Sequence, residues 1–100
     1  MEQKKTLPNF FKAISCDPRI GLSHICLYVT LLQYFQLQDE IDPVLIKSNE
    51  VMRTSKIAGL ATYHRCIREL HDFGYIRYIP SYNHRQKSKV FLIEKHHSRN

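Results

Sequence analysis

Basic side chains are concentrated in two stretches of this 100-residue sequence. Leu60–Phe73 carries two arginines and two histidines among apolar residues at helical spacing, and Asn83–Lys89 carries three lysines or arginines and one histidine. No acidic residue occurs between positions 76 and 93. Lysine and arginine are the side chains that bind phosphate groups. With a formal net charge of +6, the sequence predicts a polyanionic partner, with nucleic acid as the first candidate and an anionic membrane surface as the second.

Other reactive residue types show no pattern typical of a catalytic or metal site. The cysteines, Cys16, Cys26 and Cys66, are odd in number and include no C-x-x-C pair, so reduced thiols are favoured over a disulfide or zinc site. His64 and His71 lie seven positions apart, whereas helical metal ligands lie three or four apart. Without a glycine-rich phosphate loop or a nucleophile–base pair, we expect no enzymatic activity, cofactor, metal or small-molecule ligand.

One segment could have suggested acid–base chemistry, and another could have suggested a membrane span. Asp39–Pro43 contains three acidic residues but no neighbouring histidine, cysteine or nucleophile, which favours a solvated loop. The apolar stretch from Ile25 to Leu37 is shorter than the roughly 20 residues that span a bilayer. Since the first residues also lack a signal-peptide pattern, we expect a cytoplasmic, nucleoid-associated protein. A chain of this length predicts one domain, residues 1–100, with flexible tails at 1–6 and 95–100.

The N-terminal half predicts two helices followed by a short strand. A first helix begins at Pro8–Asn9 and ends at Asp17–Pro18, because the residue before proline avoids the helical region. Ser23 is a candidate N-cap for a second helix that runs to about Gln38. A short strand then follows at Val44–Lys47.

The second helix carries two apolar stripes, which is more than one contact with a core requires. One stripe therefore predicts a core contact and the other a partner surface, so we expect a homodimer formed through the second stripe. The alternative is that the first helix packs across that stripe. The first stripe comprises Ile25, Val29 and Leu32, and the second comprises Leu27, Leu31 and Tyr34.

The C-terminal half predicts two helices joined by a turn and followed by a β-hairpin. Ser48 is a candidate N-cap for a helix ending near Ser55, and Gly59 can supply an unusual backbone conformation in the turn that follows. The longer helix, Leu60–Phe73, is ended by Gly74. Strands at Tyr75–Ile79 and Lys89–Ile93 flank a polar, basic loop.

The run from Thr62 to Ile76, TYHRCIRELHDFGYI, resembles a motif of bacterial winged helix-turn-helix proteins. The shared pattern is Thr, apolar, any, Arg, any, apolar, two of any, Leu, three of any, Gly, apolar, Ile. The resemblance covers roughly Ile46–Ile93, and the whole chain is also similar to small regulators carried on mobile elements. It implies an α+β, mainly α fold with a three-helix core, an N-terminal helical extension and a β-hairpin wing.

The resemblance also implies which residues contact double-stranded DNA. The helix from Leu60 would enter the major groove, with its first residues and arginines facing base edges and Thr62 bonding a phosphate. The basic hairpin would contact the backbone or minor groove. The alternatives are that Arg65 pairs with Glu69 as an ordinary solvated residue, and that hairpin loops are commonly polar. The candidate DNA-binding residues are Leu60, Ala61, Thr62, His64, Arg65, Arg68, His84, Arg85, Lys87 and Lys89.

Two classes of function remain open at this point. The resemblance implies a sequence-specific DNA-binding protein, either a transcriptional regulator or an accessory protein in mobile-element excision, replication or transfer. Alternatively, a winged helix can use the same surface as a protein-interaction module, because fold alone does not determine function. A salt-sensitive mobility shift with duplex DNA would separate the two classes.

Overall fold

The computed structural model describes residues 7–83 and 86–93. Within this part of the chain, four α-helices and a three-stranded antiparallel sheet surround one hydrophobic core. The expected α+β, mainly helical fold is therefore confirmed. The elements in chain order are α1 (Leu7–Ile14), α2 (Leu22–Leu37), β1 (Val44–Ile46), α3 (Ser48–Ser55), α4 (Leu60–Asp72), β2 (Ile76–Ile79) and β3 (Ser88–Leu92).

The core is built around α2, which packs against α3, α4 and β1. Leu27 and Leu31 of α2 are fully buried, and Phe10 of α1 stacks on Tyr28 with the ring centroids 3.9 Å apart. The ring of Phe10 also meets Tyr75 edge-on at 5.7 Å. Each fully buried leucine contributes about 1.5–3 kcal/mol relative to an exposed one.

None of the four described helices combines the length and the apolar composition that a membrane crossing needs.

The proposed dimer stripe on α2 is where the sequence interpretation is wrong. Leu27 and Leu31 have no exposed surface, and Tyr34 is partly buried against the same core. Helix α2 packs against α3, α4 and β1, and Leu32 and Ile25 of the first stripe belong to or pack against the same core. Leu27 and Leu31 are consequently inaccessible to a second copy, which contradicts the expected dimer contact through this stripe.

Three helix-end predictions are also corrected. The N-cap of α2 is Gly21 rather than Ser23, and the N-cap of α3 is Lys47 rather than Ser48. In the turn after α3, Lys56 takes the left-handed conformation with φ 65°, whereas Gly59 is extended. The chain reverses directly at the end of α3, where the Lys56 N–H donates to the Met52 carbonyl. The prediction that Gly74 ends α4 is confirmed. Gly74 directly follows the C-cap residue Phe73 and has a φ of 91°.

The sheet has the strand order β1-β3-β2, with both pairs antiparallel. Side chains bond backbone groups on both of its outer edges. The Gln38 amide bonds both backbone groups of Leu45 at 2.9 and 3.0 Å on the β1 edge. On the β2 edge, the Tyr78 N–H donates to His71 Nδ1 at 3.0 Å, and Pro80 follows the strand without an N–H to offer. The His71 contact also fastens the end of α4 to the hairpin.

Candidate nucleic-acid interface

Helix α4 has one buried face and one exposed face, as its periodicity predicts. Tyr63, Cys66, Ile67 and Leu70 are buried, and the helix packs against α2, α3 and β2. Burial raises the pKa of both the Tyr63 phenol and the Cys66 thiol. These two groups therefore remain neutral parts of the core, and what α4 offers to a partner is its opposite face.

The exposed face of α4 is free of acidic residues from its first residue through Arg68. Its side chains are apolar at the start of the helix and polar or basic further along; Leu60 itself is 54% exposed. Thr62 is half-buried at the edge of this face. The first two and a half turns thus present a mixed apolar and cationic surface to solvent. The exposed residues are Leu60, Ala61, His64, Arg65 and Arg68.

The two arginines on this face have different neighbours. Arg65 Nη1 lies 3.3 Å from Glu69 Oε1, so the i,i+4 pair is present. The same carboxylate oxygen lies 2.8 Å from Nε2 of the buried His24. Since His24 Nδ1 accepts a hydrogen bond from the Gly21 N–H, the ring hydrogen is on Nε2 and is donated to Glu69. Arg68 is exposed and has no ion-pair partner among the described residues.

The hairpin places a second group of cations next along the chain. Lys87 and Lys89 are exposed, and Lys89 lies in β3 opposite Leu45 of β1 and Ile79 of β2. Two further predicted contacts, His84 and Arg85, lie outside the described residues. Because His71 is hydrogen-bonded to Tyr78, the hairpin is fixed to the end of the helix that carries the first group.

Two cations that the sequence analysis did not single out precede α4 in the chain. Arg53 in α3 and Lys56 in the turn are both exposed, and they border one shallow groove. Lys56 also borders a second depression together with Gly59 and Thr62 of α4. Only their position could have indicated them in the sequence, because they fall in the helix and turn directly before α4.

The described residues were also compared with the requirements of a metal site. Among residues 7–83 and 86–93, no group of three or more His, Cys, Asp or Glu is placed to hold a metal ion. Comparison with protein-family models, with curated proteins and with solved structures gave no match to this chain. We therefore infer a function from the geometry and charge of the chain itself.

Proposed function

We propose that this chain is a sequence-specific duplex-DNA-binding protein of the winged helix-turn-helix class. Helix α4 enters the major groove, and the hairpin of β2 and β3 contacts the backbone or the minor groove. The observation that carries the proposal is the exposed face of α4, which has no acidic residue through Arg68. The opposite face of the same helix is buried in the core. An α-helix of this kind fits the width of the B-DNA major groove.

The order of the elements supports the proposal. Helices α3 and α4 are joined by residues 56–59, and the hairpin follows α4 directly. Strand β1, which lies between α2 and α3, joins the hairpin to complete the sheet. This is the order that the resemblance to winged helix-turn-helix proteins implies, with α2, α3 and α4 as the three-helix core and α1 as the N-terminal extension.

The side chains on α4 support a division of roles. Leu60 and Ala61 suit contact with thymine methyl groups, His64 can hydrogen-bond a base edge, and an arginine fork matches guanine. Lys87 and Lys89, together with Arg53 and Lys56, suit phosphate oxygens, which fix position without reading sequence. A protein of this kind would act on the DNA of a bacterial nucleoid, in transcriptional regulation or in the excision or replication of a mobile element.

Selection of bound duplexes from a random DNA pool tests the proposal directly. We expect enrichment of a defined sequence, followed by a mobility shift on that sequence at protein concentrations that leave random duplex unshifted. Ala61→Glu should abolish the shift, because it places a carboxylate on the exposed face of α4. Gln33→Glu adds the same charge at an exposed position of α2 and serves as the control.

Two results would overturn the proposal. One is a wild-type protein that fails to bind any duplex at low salt. The other is a pair of variants, Ala61→Glu and Gln33→Glu, that lose affinity equally, which would show that only the net charge matters. Capture of a protein partner through α4 in the absence of any DNA binding would favour the interaction-module alternative instead.

A further inference from the structure

The loop at residues 39–43, here called the acidic loop, projects an apolar side chain between negative charges. Ile41 is 63% exposed, and Asp39 and Glu40 beside it are also exposed. A large aliphatic side chain exposed to this degree contributes little to the fold of its own chain. The acidic loop therefore offers an apolar contact bordered by carboxylates.

The groove on α3 has the complementary character. It encloses about 470 Å³ and has an apolar floor with a cationic rim, here called the α3 groove. Its floor includes Ile57, which is buried, and Met52, which is half-buried. Arg53 and Lys56 on its rim are exposed, and neither has an ion-pair partner among the described residues. The residues lining it are Asn49, Met52, Arg53, Lys56, Ile57 and Ala58.

The acidic loop and the α3 groove lie at opposite ends of α2. Lys56, Ile57 and Ala58 border a depression that also includes Leu22 and Ser23, at the beginning of α2. The acidic loop follows Leu37, at the end of the same helix. A helix of 16 residues is about 24 Å long, so the two surfaces cannot meet within one chain.

We propose that the α3 groove binds the acidic loop of a second copy of this chain. Ile41 of one copy contacts the apolar floor of the other, while Asp39 and Glu40 face Arg53 and Lys56. A DNA phosphate would satisfy the two cations but would leave the apolar floor unused, whereas the acidic loop matches both parts of the groove. Because the two surfaces differ, the contact is heterologous and joins copies head to tail.

This inference does not rest on the proposed DNA-binding function, but it shares Arg53 and Lys56 with the proposed phosphate contacts, so its test omits DNA. The contact involves one loop and one shallow groove, well under the roughly 1,200 Å² of a standard stable interface, so association is weak and transient. We expect the weight-average mass in sedimentation to rise with concentration, approaching half association only at roughly 100 µM or above.

Two charge-reversal variants make the test specific for a head-to-tail contact. Arg53→Glu with Lys56→Glu disables the groove, and Asp39→Lys with Glu40→Lys disables the loop. Each variant alone should remain monomeric. Mixed, they should associate as the wild-type chain does, because the intact loop meets the intact groove and the reversed loop meets the reversed groove. Isotope-labelled loop variant should then show resonance shifts at the groove residues and at residues 39–43 when unlabelled groove variant is added.

An uncharged pair of variants guards against misfolding and net-charge effects. Ile41→Ser removes the apolar contact and should abolish the association of the wild-type chain. Tyr82→Ser removes a side chain that is 92% exposed on the hairpin and should leave association unchanged. Thermal unfolding confirms that each variant is folded. A wild-type chain that stays monomeric at millimolar concentration, or a mixture that forms no complex, would overturn the inference.

Discussion

Arg65 and Arg68 lie on the same face of α4 but differ in their ion pairing. The Arg65 guanidinium is paired with Glu69 at 3.3 Å, and its side chain remains 58% exposed. An exposed i,i+4 pair contributes only about 0.3–0.5 kcal/mol, so a phosphate or base could replace Glu69 at little cost. Arg68 has no such pair to break among the described residues. We therefore regard Arg68 as the sharper test of sequence recognition.

Substitution of Arg68 by lysine distinguishes base recognition from phosphate contact. Lysine keeps the charge but lacks the planar fork that binds guanine through two hydrogen bonds. If Arg68 reads a base, Arg68→Lys should lower preference at one base pair by about 1–3 kcal/mol while retaining affinity for random duplex. Arg68→Ala should lower both. Competition binding on single-base variants of the selected site measures the difference.

Lys12→Ala is the matched control, because it removes an exposed cation from α1, outside the proposed surface. Its binding to selected and random duplexes should change little. If Arg68→Lys binds with unchanged base preference, Arg68 contacts the DNA backbone rather than a base.

A second set of side chains acts on stability rather than on binding. The Asp17 carboxylate accepts hydrogen bonds from Arg19 Nε at 2.8 Å and from the Tyr75 hydroxyl at 2.7 Å. The Arg19 guanidinium also lies 4.2 Å from the centre of the Phe73 ring. Chiefly through the hydrogen bonds from Arg19, and against the opposing effect of burial, the pKa of Asp17 is held well below its ordinary range. These contacts fasten the segment between α1 and α2 to the end of α4.

The lowered pKa of Asp17 predicts a contribution to stability that depends on pH. Because the carboxyl binds its proton more weakly in the folded chain than in the unfolded chain, its contribution is present above pH about 4 and is lost as the pH falls further. Asp17→Asn should lower the free energy of unfolding by about 1–3 kcal/mol at neutral pH. The deficit should shrink in acid, as measured by urea unfolding across a pH series. Asp72→Asn, at an exposed position of α4, should show no such convergence; parallel curves for wild type and Asp17→Asn would contradict the assignment.

At the scale of elements, α4 could be predicted from sequence while the surroundings of α2 could not. The periodicity of α4 separates Tyr63, Ile67 and Leu70 from Arg65 and Arg68, and the structure buries the first group and exposes the second. A helix with one apolar face has one way to pack. Helix α2 is apolar on several sides, and the sequence does not say whether those sides meet the same chain or another. The contacts with α3, α4 and β1 decide the matter.

Helix ends were predicted only to within about three residues for a related reason. Ser23 and Ser48 have the side chains that favour N-caps, yet Gly21 and Lys47 occupy those positions. The beginning of α2 depends on His24, whose ring bonds the Gly21 N–H on one side and Glu69 of α4 on the other. Such a contact joins residues 45 positions apart and leaves no local pattern in the sequence.

Burial within α2 predicts opposite outcomes for one substitution at two of its leucines. Leu31→Glu would place a carboxylate in the core without a partner, so it should prevent folding rather than produce a folded monomer. Leu37→Glu introduces the same side chain at a position that is 67% exposed and should leave the fold intact. Circular dichroism and thermal unfolding distinguish the two variants. A cooperatively folded Leu31→Glu chain would contradict the packing described for α2.

At the scale of the whole molecule, the charges are unevenly distributed along the fold. From Val44 to Arg68, Glu50 is the only acidic residue among five lysines and arginines, while the acidic loop immediately precedes that stretch. Counterion release makes binding by such a surface strongly dependent on salt. The electrostatic contribution should therefore be measurable without knowledge of the preferred DNA sequence.

The logarithm of the DNA-binding constant should fall with the logarithm of salt concentration at a slope of about −4 to −5 per protomer, if four to six phosphates are contacted. Lys87→Ala should reduce the magnitude of this slope by about 1 and weaken all duplexes alike. Lys12→Ala should leave the slope unchanged. Fluorescence anisotropy with a labelled random duplex measures all three proteins, and a flat salt response would exclude a phosphate-binding surface.

The partly bonded edges of the sheet limit how this molecule can misassemble. Gln38 bonds the backbone groups of Leu45 on one side, and on the other His71 accepts from the Tyr78 N–H, with Pro80, which has no N–H, directly after the strand. An open strand would offer a template on which further chains could add and grow into fibrils. Because part of each edge is already bonded within the chain, the two edges offer a less complete template for amyloid-like growth.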